Sequence, residues 1–281
     1  MKLIYDYSIK MKIGICGVGF VGNAIMQCLA KYENNLSIVA YHIVAYDKYK
    51  NLNTCTALLD SDICFICLPT LYTAEKKTYD TIELDKTLSL FSELNYKGIL
   101  LIKSTVLPTY CLKMNNLYPN MRIIHNPEFL SARTALEDFS KQKHIILGYT
   151  KQSEESIVLV IDFYKTLFPL ARLSVCHSEA AELTKLACNS FYALKVQYFT
   201  ELYLLCDKMN VSFEDVKTMM LNNGWIHAQH TSIPGHDGQL SFGGACLPKD
   251  ISALNEFMKD LQIPCKVIEA TITERNEMRD D

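Results

Sequence analysis

Short apolar runs and longer stretches with helical spacing alternate through the first 176 residues. The run at 12–16 predicts a strand, and 20–32 predicts the helix after it. Further strands are expected at 37–46, 62–68, 98–103, 121–125, 144–147 and 171–176, with helices at 82–94 and 154–167. Such alternation predicts an α/β fold with a mostly parallel sheet and right-handed crossovers. From about His177 the pattern changes. Residues 178–210 keep helical spacing with no strand signal, and shorter helices are expected at 212–221, 249–260 and from Pro264 onward, with a glycine-rich loop at 224–244. The division is therefore a Rossmann-type domain at 11–176 and an all-helical domain at 177–281. The first ten residues read as an extension outside the fold.

The glycines Gly17, Gly19 and Gly22 stand between the first strand and first helix as G-x-G-x-x-G. The first suits a tight turn, the second a close approach of pyrophosphate, the third helix–strand packing. Phe20 and Val21 open the helix whose free N–H groups favour phosphate. Asp47, at the end of the second strand, suits the ribose hydroxyls of NAD rather than the 2′-phosphate of NADP, for which Lys48 and Lys50 still leave room. Pro69-Thr70, Ser104-Thr105 and Glu128 also follow strands. In open parallel sheets ligands bind beyond the carboxyl ends of strands, so these positions would line one edge.

In the second half, residues 241–250 read SFGGACLPKD. Gly243 and Gly244 let backbone pass close to a ligand. Cys246 precedes a predicted helix and sits near Lys249 and Asp250, a setting that favours thiolate. Lys185 and Asn189 are four apart and share a helix face. Lys185 alone would read as a surface lysine.

Composition narrows this little. The 281 residues are 49% apolar, and 28 basic against 31 acidic residues give a net charge of −3. No charge block suggests a nucleic-acid or membrane surface. No export signal or membrane-length apolar run is visible. The eleven cysteines therefore read as reduced thiols in a cytoplasmic protein. Cys64 and Cys67 form a C-x-x-C inside a predicted buried strand, and no metal site is expected.

The motifs together resemble the UDP-glucose/GDP-mannose dehydrogenase family. They are GVGFVG, Asp47, KSTVLPT at 103–109, NPEFL at 126–130, AAELTKLACNSFYALKV at 180–196 and FGGACLPKD. The resemblance implies NAD-dependent oxidation of a nucleotide sugar's C6 alcohol to a carboxylate, most closely on UDP-glucose. Cys246 would carry a thiohemiacetal and then a thioester. Asp250 and Glu128, aided by Thr105, would handle water and protons. Lys185 and Asn189 would stabilise the oxyanion and place the sugar. Lys249 would contact the cofactor, as would Pro69 and Thr70. Phe129, Leu130, Gly235, His236, Asp237, Gly238, Gln239 and Gly243 would line the sugar-nucleotide pocket, and the helical domain would form a homodimer. GDP-mannose or a UDP-N-acetylhexosamine are alternative substrates, and an NAD-binding dimerisation module that needs a partner is an alternative of another kind.

Two positions and the span around His230 depart from the family pattern. Ala132 replaces a second glutamate, Ser241 replaces a common glycine, and no arginine lies between Arg172 and Arg275. The chain also stops at Asp281, before the family's third domain, which leads to the expectation that a substrate-holding half is lacking.

Overall fold

A computed structural model of the chain describes residues 11–32 and 41–280. In chain order its elements are β1 (Met11–Cys16), α1 (Phe20–Ala30), β2 (Tyr41–Tyr46), β3 (Ile63–Ile66), β4 (Tyr72–Thr73), β5 (Thr78–Tyr79), α2 (Ile82–Glu93), β6 (Ile99–Ile102), α3 (Tyr110–Leu117), β7 (Arg122–His125), α4 (Ala135–Ser140), β8 (His144–Tyr149), α5 (Ile157–Leu167), β9 (Arg172–His177), α6 (Ser178–Lys208), α7 (Phe213–Asn222), α8 (Leu247–Asp260) and α9 (Lys266–Met278). Positions 37–40 of the second expected strand and the expected N-terminal extension lie outside the described residues.

Two compact units result. The first takes the chain up to Thr70 together with Thr81–Lys185. Its seven-stranded sheet has the order β2-β1-β3-β6-β7-β8-β9. Successive side chains point to opposite sides, and the inner strands β1, β3, β6 and β7 are apolar and buried on both faces. Ile13, Ile15, Ile63, Phe65, Ile99 and Leu101 pack into one layer with α1 and α5. Cys16, Cys64, Ile66, Leu100 and Ile102 pack into the other with α2 and α3. The sheet is parallel except at one pair: β8 runs antiparallel to β7. Between β7 and β8 stands only the six-residue α4, so the chain reverses there where the sequence pattern suggested another crossover. Helices α3 and α4 are also additions to the expected elements.

The second unit takes Leu71–Asp80 together with the chain from Leu186 onward. It is built on most of α6 and on α7, α8 and α9, so the helical expectation for this region holds. It is not all helix, however. The antiparallel hairpin β4–β5, with Tyr72 opposite Tyr79, interrupts the Rossmann stretch of the chain and packs on α8. Phe199, Cys206, Phe213 and Ile233 form one apolar cluster in this unit, and Ala193, Phe242 and Ile251 another. Among the described residues no helix is long and apolar enough to cross a membrane.

Candidate active site

The first unit carries a glycine turn at the carboxyl edge of the sheet. Gly17 has φ +88°, and a Cβ there would meet the Cys67 carbonyl oxygen at 2.7 Å. A Cβ on Gly22 would lie 1.9 Å from the Gly17 carbonyl oxygen, so helix α1 and the turn pack without room for a side chain. Gly19 differs: nothing lies within 4 Å of its added Cβ. It is the N-cap of α1 and has no side chain to satisfy the first-turn amides, while Phe20 beside it is 71% exposed. An open glycine at an uncapped helix N-terminus suits an anion such as pyrophosphate.

Asp47 organises the same turn. One carboxylate oxygen accepts from the Val18 amide at 2.8 Å, and the other from the Tyr49 and Lys50 amides at 2.9 and 3.1 Å. Lys50 Nζ returns to the Val18 carbonyl at 2.6 Å. Partial burial pushes the carboxyl up, but the three amide donors and Lys50 outweigh it and hold Asp47 below the usual carboxylate range. Farther along the edge, the Thr70 hydroxyl donates to the Thr105 carbonyl at 2.6 Å, and both residues are buried. Pro69 beside them is exposed.

Glu128 follows β7. Its Oε2 accepts from the Leu130 amide at 2.7 Å, which curls the 128–130 segment. Lys185, on the first part of α6, is 3% exposed, so it is not the surface lysine its residue type alone would suggest. Its Nζ donates to the Glu128 carbonyl and carboxylate and lies 5.2 Å from the centre of the Phe129 ring. Lys103, which opens the 103–109 motif and carries no signal of its own in the sequence, joins the same segment. It is buried against the Asn126 side-chain oxygen at 3.2 Å and the Pro127 carbonyl at 3.3 Å. Burial pushes its ammonium down to about 8.

In the second unit Cys246 is the N-cap of α8, with Pro248 in the helix's first turn, and its side chain is exposed. Asp250 lies one turn on. Its amide donates to the Cys246 carbonyl at 3.0 Å, and its side chain is fully buried. The carboxylate receives Lys249 Nζ and the Tyr79 hydroxyl on Oδ1, both at 2.5 Å, and Asn189 Nδ2 on Oδ2 at 2.6 Å. Thus Asn189, Lys249 and Asp250 converge, with the Lys249 ammonium on the Asp250 carboxylate. Tyr79 was not foreseen. Its strand is two residues long, too short to leave a period-2 pattern.

The 235–239 segment closes on itself: the Gly235 amide donates to the Gln239 carbonyl at 2.9 Å, and the Gly238 amide to the Gly235 carbonyl at 2.9 Å. His236, Asp237, Gly238 and Gln239 are exposed. Asp237 pairs with Arg279 Nη2 at 2.8 Å. The guanidinium occupies the space beside Gly243, where an added Cβ would lie 2.2 Å from Nη2. The small residue at 243 therefore makes room for Arg279; Gly244, at φ +80°, has open space instead. Ser241 adopts φ +59°, a left-handed conformation that favours glycine. It is buried, and its hydroxyl and amide are held by Gln197 at 2.5 Å and Thr200 at 3.1 Å.

Comparison with known proteins covers both units. The model of the "UDP-glucose/GDP-mannose dehydrogenase family, NAD binding domain" matches residues 32–168, and that of the same family's central domain matches 179–277. A UDP-glucose 6-dehydrogenase of Rickettsia conorii is 30% identical over 260 residues, covering 88% of this chain and 56% of the relative. The enzyme of the same name from Rickettsia typhi is 30% identical over 212 residues, 73% of this chain and 45% of the relative. The chain thus spans about half the length of these curated relatives. A UDP-glucose dehydrogenase structure from Pyrobaculum islandicum superposes with a TM-score of 0.82 at 22% identity, over 97% of this chain and 69% of that one, and so shares the fold. With two models of one family matched in order along most of its length, the chain belongs to the UDP-glucose/GDP-mannose dehydrogenase family and carries that family's NAD binding and central domains.

Proposed function

We propose that the protein oxidises the C6 alcohol of a nucleotide sugar to a carboxylate with NAD, and that the sugar nucleotide is UDP-glucose, giving UDP-glucuronate. The observation that carries this reading is the α8 N-terminus: an exposed thiol at the N-cap, one turn from a buried carboxylate that holds a lysine, an asparagine and a tyrosine. An alcohol dehydrogenation alone needs no nucleophile; reaching the acid through a thioester does.

NAD, when bound, supplies the hydride acceptor for both oxidations, and the glycine turn with Gly17, Gly19, Gly22 and Asp47 would hold it. Cys246 adds through its sulfur to the C6 aldehyde, forming a thiohemiacetal. Loss of the C6 hydride and the hydroxyl proton from that adduct leaves a thioester. Water then adds to the thioester carbonyl, the C–S bond breaks, and the thiol of Cys246 is restored. Asp250 accepts protons in these steps, with Glu128 and Thr105 assisting. Lys185 and Asn189 donate to the oxygen that gains negative charge. Phe129, Leu130 and residues 235–239 contact the sugar nucleotide.

We also propose a homodimer through the second unit. Phe191, Tyr198 and Leu205 lie seven residues apart on α6 and are 60%, 56% and 54% exposed, an apolar stripe of the kind that is buried by association. A cytoplasmic setting is proposed on the eleven cysteines, which stand as free thiols in the structure.

Turnover with separate nucleotide sugars tests the substrate. NADH is expected from UDP-glucose in preference to GDP-mannose and UDP-N-acetylhexosamines. Turnover confined to GDP-mannose would transfer the reading to that sugar, and none with any of the three would overturn it.

A further inference from the structure

The hairpin β4–β5 brings into the second unit a residue that none of the motifs includes. Tyr79 is buried, and its hydroxyl donates to Asp250 Oδ1 at 2.5 Å. The Lys249 ammonium stands 4.7 Å from the centre of the same ring and 2.5 Å from the same carboxylate oxygen. One side chain thus engages both members of the Lys249–Asp250 pair, the ammonium by its face and the carboxylate by its hydroxyl. The hairpin itself is fastened to α8 by Lys77, which pairs with Glu256 at 3.3 Å. At its base the Asp80 amide donates to the Leu71 carbonyl at 2.7 Å.

We propose that Tyr79 is a positioning residue for the reaction, fixing the orientation of Asp250 through its hydroxyl and the placement of Lys249 through its ring. This rests on the reading of Asp250 as the group that accepts protons. Burial, and then the charge of Asp250, push the Tyr79 phenol far up, so it stays a donor at any pH at which the protein works. Other groups around Asp250 are accounted for. Asn189 on α6 is neutral. On α8, Cys246 and Lys249 face the same centre, with Glu256 farther along. On the hairpin, Tyr72 and Lys77 accompany Tyr79. Among these, the Tyr79 hydroxyl is the neutral donor that can be deleted with one atom while the ring remains.

The test needs no substrate. Aspartate is labelled with 13C at the carboxyl, the Asp250 resonance is assigned by its loss in Asp250→Asn, and it is compared at neutral pH in wild type and Tyr79→Phe. The expected result is a displaced Asp250 resonance once its hydroxyl donor is gone. Installing 3-fluorotyrosine at position 79, a stronger donor, should displace it the other way; this variant also serves if Tyr79→Phe does not fold. An Asp250 resonance unchanged in the folded variants would overturn the proposal. Turnover assays on the same proteins judge the proposed reaction separately: kcat should fall about tenfold in Tyr79→Phe with KM little changed, whereas a chain inactive on every nucleotide sugar would discard the reaction and leave the resonance to decide the Tyr79–Asp250 relation.

Discussion

Lys185 Nζ donates to two atoms of a single residue, the Glu128 carbonyl oxygen at 2.7 Å and its carboxylate at 3.0 Å. Both side chains are nearly enclosed, at 4% and 11% exposure. Removing either partner leaves a buried charge or acceptor without its counterpart, which costs about 3–5 kcal/mol for a buried pair. Lys185→Met and Glu128→Gln are each expected to lower unfolding stability by about that amount, and the double variant to lose less than their sum. Urea unfolding of the four proteins checks this. Additive losses would mean that the pair is not coupled.

Lys103 gives a pH dependence with a definite sign. Its folded value is pushed down to about 8 from an ordinary 10.5. Between those values the unfolded chain binds more protons than the folded one, so stability rises with pH. Wild type should therefore gain stability relative to Lys103→Met as pH is raised from 8 to 10.5. Other titrating groups are common to both proteins and cancel in the difference. A flat difference across this window would show that Lys103 is not held in an unfavourable charged state.

Gly243 and Arg279 form a steric pair. In Gly243→Ala the new methyl would meet a guanidinium held by Asp237 and by the Leu240 and Ser241 carbonyls at 3.4 Å. The expected cost is about 1–3 kcal/mol, as for overpacking elsewhere. Part of it should disappear when Arg279→Ala is added, a coupling visible in a double-mutant cycle. Equal losses in both backgrounds would place the strain elsewhere.

Asp47 joins the turn after β2 to the glycine turn through the Val18 amide. Asp47→Ala strips an acceptor from three amides, and each amide left without a partner weakens the turn. The proposed NAD site should then bind at least tenfold more weakly, about 1.4 kcal/mol. Calorimetric titration with NAD measures it, and an unchanged Kd would remove Asp47 from that role.

Sequence pattern located the strands of the sheet because they are short, apolar and followed by turn residues. Thus Gly17, Asp47, Thr70, Thr105 and Glu128 were found beyond strand ends, and the structure has them after the parallel strands β1, β2, β3, β6 and β7. The antiparallel turn into β8 was not legible, since strand direction leaves no mark on apolar periodicity. Lys185 could not be separated from a surface lysine by composition; its burial depends on Glu128, which is distant in sequence. Tyr79 and Arg279 were missed for the same reason: each acts through partners distant in sequence, Asp250 for Tyr79 and Asp237 for Arg279. Gly243 was noticed, but the guanidinium beside it comes from Arg279, just past α9, and no local pattern pairs the two.

In the proposed reaction one sugar is oxidised twice through a Cys246 thioester. Counting NADH at 340 nm against UDP-glucose consumed, in wild type and Cys246→Ala, decides it. Two NADH per sugar with UDP-glucuronate as product are expected in wild type, and loss of that product in the variant. Two NADH per sugar from Cys246→Ala at the wild-type rate, or a single NADH with aldehyde released by wild type, would contradict it.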